Sequence, residues 1–440
     1  METKQFLEEK AKVINWQITL KVITIGFIAL VLMIPRVMIE ELVRERESSA
    51  ESAKHEVMQK WSLNQTLRGP VLTIPYIEKT FDDKGTIIKE EIHEYHFLPE
   101  TLNIEGEIVP KELYRSIYQS VVYESTLKIT GHFENPDFEK FKLNQSDILW
   151  GKASLSVAIS DLRGINAMVD LIWNGETYPF SPGMDNRLLG DKGISILVPH
   201  SGPSSFPADF HINLNLKGSD ELQFTPLGET TRVNIKSSWN DPGFQGNFLP
   251  EDRSVSVNGF TAQWKILNFN RNFPQSWKDD AFNVTNADFG VKLVSVADHY
   301  QKSLRSAKYG ILVILFMFLS FFLNEIITKQ RVHSFQYILV GFAVLIFYLL
   351  LLSISEHLGF NLAYLISSLA VIGMVLIYSR SFLKTWSNSI LLSSILTFSF
   401  GFVFVLMQLE SYALLVGSIG LFCVLALTMF FTQKINWYNE

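Results

Sequence analysis

The sequence is poor in cysteine: Cys423 stands alone among 440 residues, which leaves no partner for an internal disulfide and excludes both a disulfide scaffold and a cysteine-rich zinc module. Glycine-rich phosphate cradles are missing as well, with neither G-x-x-x-x-G-K-[ST] nor G-x-G-x-x-G after a strand, so nucleotide chemistry is not expected. No G-x-S-x-G elbow occurs; the GSIG at 417 to 420 sits in a span of small residues, where helix packing accounts for it. Charged residues make up only 19% of the chain and mean hydropathy is +0.17, unlike a disordered tail or a basic nucleic-acid binder. With no catalytic signature, the reading is of a non-enzyme with no cofactor, no metal and no nucleic-acid partner.

What charge there is lies unevenly. Residues 309 to 440 hold 5 basic and 4 acidic side chains in 132 positions, whereas 36 to 308 hold 29 and 37. Crossing about 30 Å of hydrocarbon as a helix takes about 20 mostly apolar residues, and the C-terminal third supplies five such runs, at 308–328, 334–354, 360–379, 387–408 and 411–432. Short connections make consecutive helices antiparallel. A sixth span, 18–38, is built on Val22 to Pro35, lengthened by Ile14 to Leu20 once Lys21 snorkels towards the headgroups. The chain reads Pro35, Arg36, Val37, Met38 where a signal peptide would place small residues, so an uncleaved anchor is expected.

Orientation follows from basic residues. Lys4, Lys10, Lys12 and Lys21 precede the first span, Lys329 and Arg331 follow the second, and Arg380 and Lys384 follow the fourth, whereas the short loops near Glu356 and Glu410 contain no Lys or Arg. Both the arm 1–17 and the tail 433–440 are thus expected in the cytoplasm, with the long segment between spans one and two across the membrane.

That segment begins with a stalk, 39–68, whose Glu-, Arg- and Ala-rich stretch to residue 60 lacks Gly and Pro and reads as a continued helix. From 69 to 305 the texture turns to short β-branched and aromatic runs broken by turn formers, an all-β pattern in one or two units. In FHINLNL, Phe210, Ile212, Leu214 and Leu216 alternate with His211, Asn213 and Asn215, a strand with one buried and one wet face. Asp82-Asp83-Lys84-Gly85 reads as a hairpin turn. The fold class is therefore six transmembrane α-helices, one N-terminal and five C-terminal, with a large β-rich domain, extracytoplasmic (periplasmic if the membrane is a bacterial inner membrane), between helices one and two.

Residues able to carry chemistry are few. His93 and His96 fall three apart in a strand, on opposite faces, and so do not form a metal pair; His200 and His211 lack accompanying ligands. Ionisable groups at membrane depth matter more, because each costs free energy unless paired or wet. Glu325 lies four residues before Lys329, which suggests a local pair. Glu356 and His357, in the turn after the third span, and Glu410, in the turn on the same face between the fifth and sixth, are candidates for a proton relay or cation site, against plain solvation. Ser389, Ser393 and Thr397 form a stripe suited to close helix packing. SSWNDPGFQGNFLPE, 237–251, with Trp239, Phe244 and Phe248, reads as a loop too irregular for a ladder, either functional or plugging the β core. In the next aromatic stretch, Trp264, Phe269, Phe273 and Trp277 are expected mostly in the core.

Several strings together resemble the CreD family of bacterial inner-membrane proteins: RGPVLTIP at 68–75, HFLPE at 96–100, DLRGI at 161–165, SSWNDPGFQGNFLPE at 237–251, FTAQW at 260–264, SVADHYQKSLRSAKYGIL at 295–312, the block 321–360, and NWY at 436–438. The resemblance runs over nearly the whole chain, although METKQFLEEKAKVINWQ is a longer start than the family leads one to expect. It implies an envelope-stress role linked to antibiotic response and colicin tolerance, with no catalytic residues to carry over. The expectation is a protein that supports envelope integrity by binding a periplasmic protein, lipid or glycan. The alternative is a transporter or channel for a lipid-linked or small hydrophobic substrate, and paired ionisable residues deep in the helices would mark it.

Overall fold

A computed structural model of the chain describes residues 13–14, 16–84, 86–138, 144–184, 187–198, 202, 205–294, 299–328, 332–383, 385–409, 412–433 and 438–439. It divides into two compact units, Met1–Glu51 with Val296–Glu440, and Ser52–Ser295.

In the first unit the helices are α1 Trp16–Trp61, whose last ten residues belong to the second unit, α2 His299–Lys308, α3 Gly310–Thr328, α4 Ser334–Leu358, α5 Phe360–Leu383, α6 Trp386–Gln408 and α7 Ala413–Thr432. Among the described residues six helical stretches, one N-terminal and five C-terminal, are long and apolar enough to cross a membrane. Each satisfies its own backbone hydrogen bonds, as a lipid environment requires. The apolar half of α1 seats Ile28, Ala29 and Leu32 in the bundle core, and a Cβ at Gly341 on α4 would collide with Leu32, so the glycine is what admits that leucine. Phe347, Tyr364 and Phe400 tie α4, α5 and α6, with Phe347 stacked on Phe400 at 4.3 Å between centroids. The side chains of α7 are mostly exposed, as suits a helix against lipid. Val13–Ile14 pairs with Tyr438–Asn439, which joins the two ends of the unit.

The second unit holds a nine-stranded and an eight-stranded sheet. The first runs Pro242–Gly246, Phe289–Leu293, Glu221–Phe224, Gln65–Phe81, Ser154–Ile159, Gly193–Leu197, Ser181–Pro182, with Ile87–Phe97 on Gln65–Phe81 and Ser276–Lys278 beyond it. The second runs Asp252–Ser256, Gly259–Leu267, Thr230–Ser237, Thr101–Arg115, Tyr118–Phe133, Ala208–Ser219, Asp170–Trp173, Glu176–Pro179. Apolar faces of both sheets meet in a single contiguous core that includes Leu67, Val71 and Leu155 from the first and Ile104, Leu127 and Leu214 from the second. The question of one or two β units is thereby answered: there is one. The strand Ala208–Ser219 buries Phe210, Ile212, Leu214 and Leu216 and turns Asn213 and Asn215 outward, as its period of two requires.

Three segments differ from the sequence reading. Residues 65–68, read as stalk, already belong to the first long strand, because the helix stops at Trp61 and Gln65 pairs in parallel with Leu222. Residues 299–305, read as the end of the β domain, form most of the amphipathic helix α2, whose charges hid it from a hydropathy scan. Within 237–251, Pro242–Gly246 does form a ladder, antiparallel to Phe289–Leu293; the register rather than β propensity holds it at the sheet edge. The hairpin at Asp82 is closed by Asp82 N–H to Thr86 O at 2.9 Å, and the Asp82 carboxylate accepts from the Lys84 and Thr86 N–H groups; Gly85 lies outside the described residues.

Candidate functional site

The helical unit ties α1 to the others at two levels, through an ion pair at one and through hydrogen bonds to main-chain carbonyls at the other. Lys21 Nζ lies 3.1 Å from Glu325 Oε2, donates to the Val332 carbonyl and stands 5.5 Å from the centre of the Tyr337 ring. Tyr337 Oη lies 3.5 Å from the same carboxylate. Glu325 is thus tied to the first helix across the chain; Lys329, the partner expected from spacing, lies outside the described residues. Fifteen residues along α1, about 22 Å of helix, Arg36 donates to the carbonyls of Ala307 and Lys308, both at 3.2 Å, and pairs with Glu40 at 2.5 Å. Those carbonyls end α2, where no intrahelical donor remains, so Arg36 caps the break before α3.

Further along α4, Glu356 accepts from Tyr300 Oη on α2 at 3.0 Å, while His357 points outward and exposed. Glu410 lies outside the described residues. The structure therefore ties Glu356 to a tyrosine and brings no described carboxylate to His357. Ser389 and Ser393 are buried on α6, with Ser389 Oγ bonded to the Thr385 carbonyl, and Thr397 bonds back to the Ser393 carbonyl.

In the β unit the three aromatic candidates pack rather than gape. Trp239 Nε1 donates to Val294 O at 3.1 Å. The Phe244 ring meets Phe260 and Trp264, both at 5.9 Å, and Phe248 meets Phe289 at 5.9 Å. All three are half-buried at the rim of the core. Trp264, Phe273 and Trp277 are buried, whereas Phe269 is 90% exposed.

The two strand histidines face opposite ways. His96 is buried beside Trp277, its Nδ1 3.0 Å from Thr73 Oγ1, and burial pushes its imidazole down to about 4, which keeps it neutral at physiological pH. His93 sits outward between Asp279, at 2.7 Å, and Glu78, at 3.0 Å. The hydrogen bond from Lys278 holds the Glu78 carboxyl below the usual range. Burial works to raise the Asp279 carboxyl, but the Glu94 N–H and His93 outweigh it and leave it lowered.

A broad concave feature lies on the outer face of the second sheet. Glu105, Glu107, Thr126, Lys128, Asn234, Lys236, Thr261 and Gln263 line an open groove of about 450 Å³. Strand register builds it in rows: Lys128, Glu105, Asn234 and Gln263 stand opposite one another across four strands, and Thr126, Glu107, Lys236 and Thr261 form the next row. Lys236 pairs with Glu107 at 2.9 Å, with both side chains more than half exposed. A second depression of about 320 Å³ continues it past Ser254, Ser256 and Asn258. Amides, hydroxyls and both signs of charge are thus fixed on a rigid sheet. None of these residues stands out in the sequence, because each is simply the polar alternate of a strand.

A family model described as "Inner membrane protein CreD" matches residues 17–438. The protein "Inner membrane protein CreD" of Escherichia coli (strain K12) is 34% identical over 414 residues, which cover 93% of this chain and 91% of that protein.

Proposed function

This chain belongs to the CreD family of inner-membrane proteins, a multi-pass protein set in the lipid bilayer, and from that premise we propose that it supports envelope integrity by binding an envelope component or protein partner through its β domain. The observation that carries this reading is the polar groove on the second sheet. A five-strand surface whose outward positions are Glu, Lys, Asn, Gln, Thr and Ser can hydrogen-bond a glycan, a polar headgroup or a peptide without rearrangement, and its rigidity lowers the entropy cost of binding. The chain is read as a binding protein rather than an enzyme. Transport is less favoured: its ionisable pair, Lys21 with Glu325, sits three residues from the end of α3 rather than at mid-helix.

The proposal also places the β domain in the periplasm and both termini in the cytoplasm, on the strength of the basic residues flanking alternate loops. With Cys423 replaced by Ser, a cysteine at Asn258 should react with a membrane-impermeant maleimide in intact spheroplasts, and one at Ser381 only after lysis. The reverse pattern would overturn the orientation.

Binding is tested with the full-length protein in cells lacking their own copy. Charge reversal in the groove, Lys236→Glu, should weaken the contact about tenfold for each charged hydrogen bond lost. It should lower survival under envelope stress at unchanged protein level. A photo-crosslinking residue at Gln263 should capture an adduct that K236E loses. Full protection by K236E, with no adduct at Gln263, would remove the groove from the mechanism.

A further inference from the structure

A second constellation on the β domain, independent of the groove and of its proposed role, is drawn together by strand pairing. His132 stands near the end of Tyr118–Phe133, between Thr101 on one neighbouring strand and Asp209 on the other. Glu100, just before Thr101, is clamped by its main chain: its N–H donates to His132 O and its carbonyl accepts from the Thr230 N–H, both at 2.9 Å. Glu134 follows directly after the strand. One ligand atom from each of Glu100, His132 and Glu134 lies within 4.8 Å of the others.

The hydrogen bonding of His132 gives this cluster its direction. Nδ1 lies 2.7 Å from Asp209 Oδ1, and an ionised carboxylate only accepts, so Nδ1 carries the proton. In the neutral ring Nε2 then presents a lone pair, and it faces another acceptor, Glu134 Oε1, at 3.7 Å, too far for a hydrogen bond. Zinc ligands at about 2.0–2.2 Å in a tetrahedron stand about 3.3 Å apart, close to that separation. A carboxylate holding the far nitrogen of a ligating histidine is the usual outer support of a metal site. Three carboxylates converge here, and among the described residues none of them pairs with a Lys or Arg.

We propose that Glu100, His132 Nε2 and Glu134 bind one divalent cation of the zinc type, with Asp209 orienting the imidazole and water completing the coordination. One nitrogen and two carboxylate oxygens suit Zn²⁺ and its first-row neighbours rather than a soft ion. The site is open to solvent, with Glu100 and Glu134 exposed, so the ion enters without unfolding.

The test uses the full-length, detergent-solubilised protein without a polyhistidine tag, stripped with chelator and titrated with ZnCl2 by calorimetry, with bound metal counted by mass spectrometry. The expected result is one zinc per chain, lost in His132→Gln and Glu134→Gln, and held about 10- to 100-fold more weakly by Asp209→Asn. His211→Gln, whose imidazole bonds Asn213 on the same face, should bind as the wild type does. Glu134 is 62% exposed, so its variant reports on the ion even if H132Q misfolds. If the wild type takes up no zinc, the proposal fails. It fails equally if E134Q and H132Q retain the wild-type affinity.

Discussion

Replacing Asp161 by Ala is expected to lower the stability of the β domain by about 3 kcal/mol, the cost of breaking a buried ionic and hydrogen-bonded hub from one side. The Asp161 side chain is only 5% exposed. It accepts from the Leu63 N–H at 2.9 Å, from Ser62 Oγ at 3.3 Å, and from Arg163 through Nε at 2.9 Å and Nη2 at 2.7 Å. Arg163 also donates Nη1 to Gln59 O at 2.6 Å, near the end of α1, where helix carbonyls lack partners. Gln65 closes the network from the other side, donating to the main-chain oxygens of Asp161 and Lys217. One carboxylate therefore fixes the turn between helix and first strand. For a unit of this size the loss corresponds to a fall in Tm of about 6–12 °C. Tryptophan fluorescence of the full chain would follow it, because Trp173, Trp264 and Trp277 are buried in this unit. A shift under about 1 kcal/mol would mean that neighbouring donors find water at no cost.

The same hub has a defined response to acid. The hydrogen bond from Arg163, helped by the Leu63 N–H and opposed by burial, holds the Asp161 carboxyl well below its usual range. A carboxylate lowered on folding stabilises the fold above its unfolded value, about 3.9, and loses that contribution as pH falls towards the folded one. Wild type and Asp161→Asn should thus differ in full at pH 7 and converge below about pH 4. A difference that stays constant across that window would show that shape rather than charge holds the turn.

The features legible in the sequence are those set by neighbours in the chain. Hydropathy is a local average, so the spans could be placed, and the period of two in Phe210–Leu216 exposed a strand without reference to its partners. Features made by register stayed hidden. The groove draws on Lys128, Glu105, Asn234 and Gln263, whose meeting depends on one parallel and two antiparallel pairings. His132 lies in a strand whose pattern is plain, TLKITGHF, and Glu134 follows it in the chain, but two of its three carboxylate neighbours come from residues 100 and 209. The ladder at Pro242–Gly246 stays hidden for the opposite reason. Glycine and proline around Phe244 weaken any strand signal, while the edge of an existing sheet supplies the ladder and a core for the rings. The spacing of Glu325 suggests a local partner, Lys329, yet the cation the structure brings to it comes from 304 residues earlier.

That long-range pair carries the other large expected effect. Lys21→Met should destabilise the helical unit by about 2–3 kcal/mol, somewhat below the cost of breaking a fully buried pair, since the two side chains are 22% and 17% exposed. Among the described residues it leaves Glu325 facing the Tyr337 hydroxyl. Glu325→Gln should cost less, because Lys21 keeps the Val332 carbonyl and the face of Tyr337 and has a stem long enough to reach water. The decisive variant is the double one. Once both charges are gone neither member of the pair is left without its counter-charge, so Lys21→Met with Glu325→Gln should recover most of the loss and give a coupling of about 2 kcal/mol in the cycle. Heat-induced loss of monodispersity in detergent, and protease sensitivity in native membranes, would both report it. Additive single effects would mean that each group is solvated separately, and α1 would then owe its place in the bundle to its apolar side chains, Ile28, Ala29, Leu32 and Ile39 among them, and to the Arg36 cap.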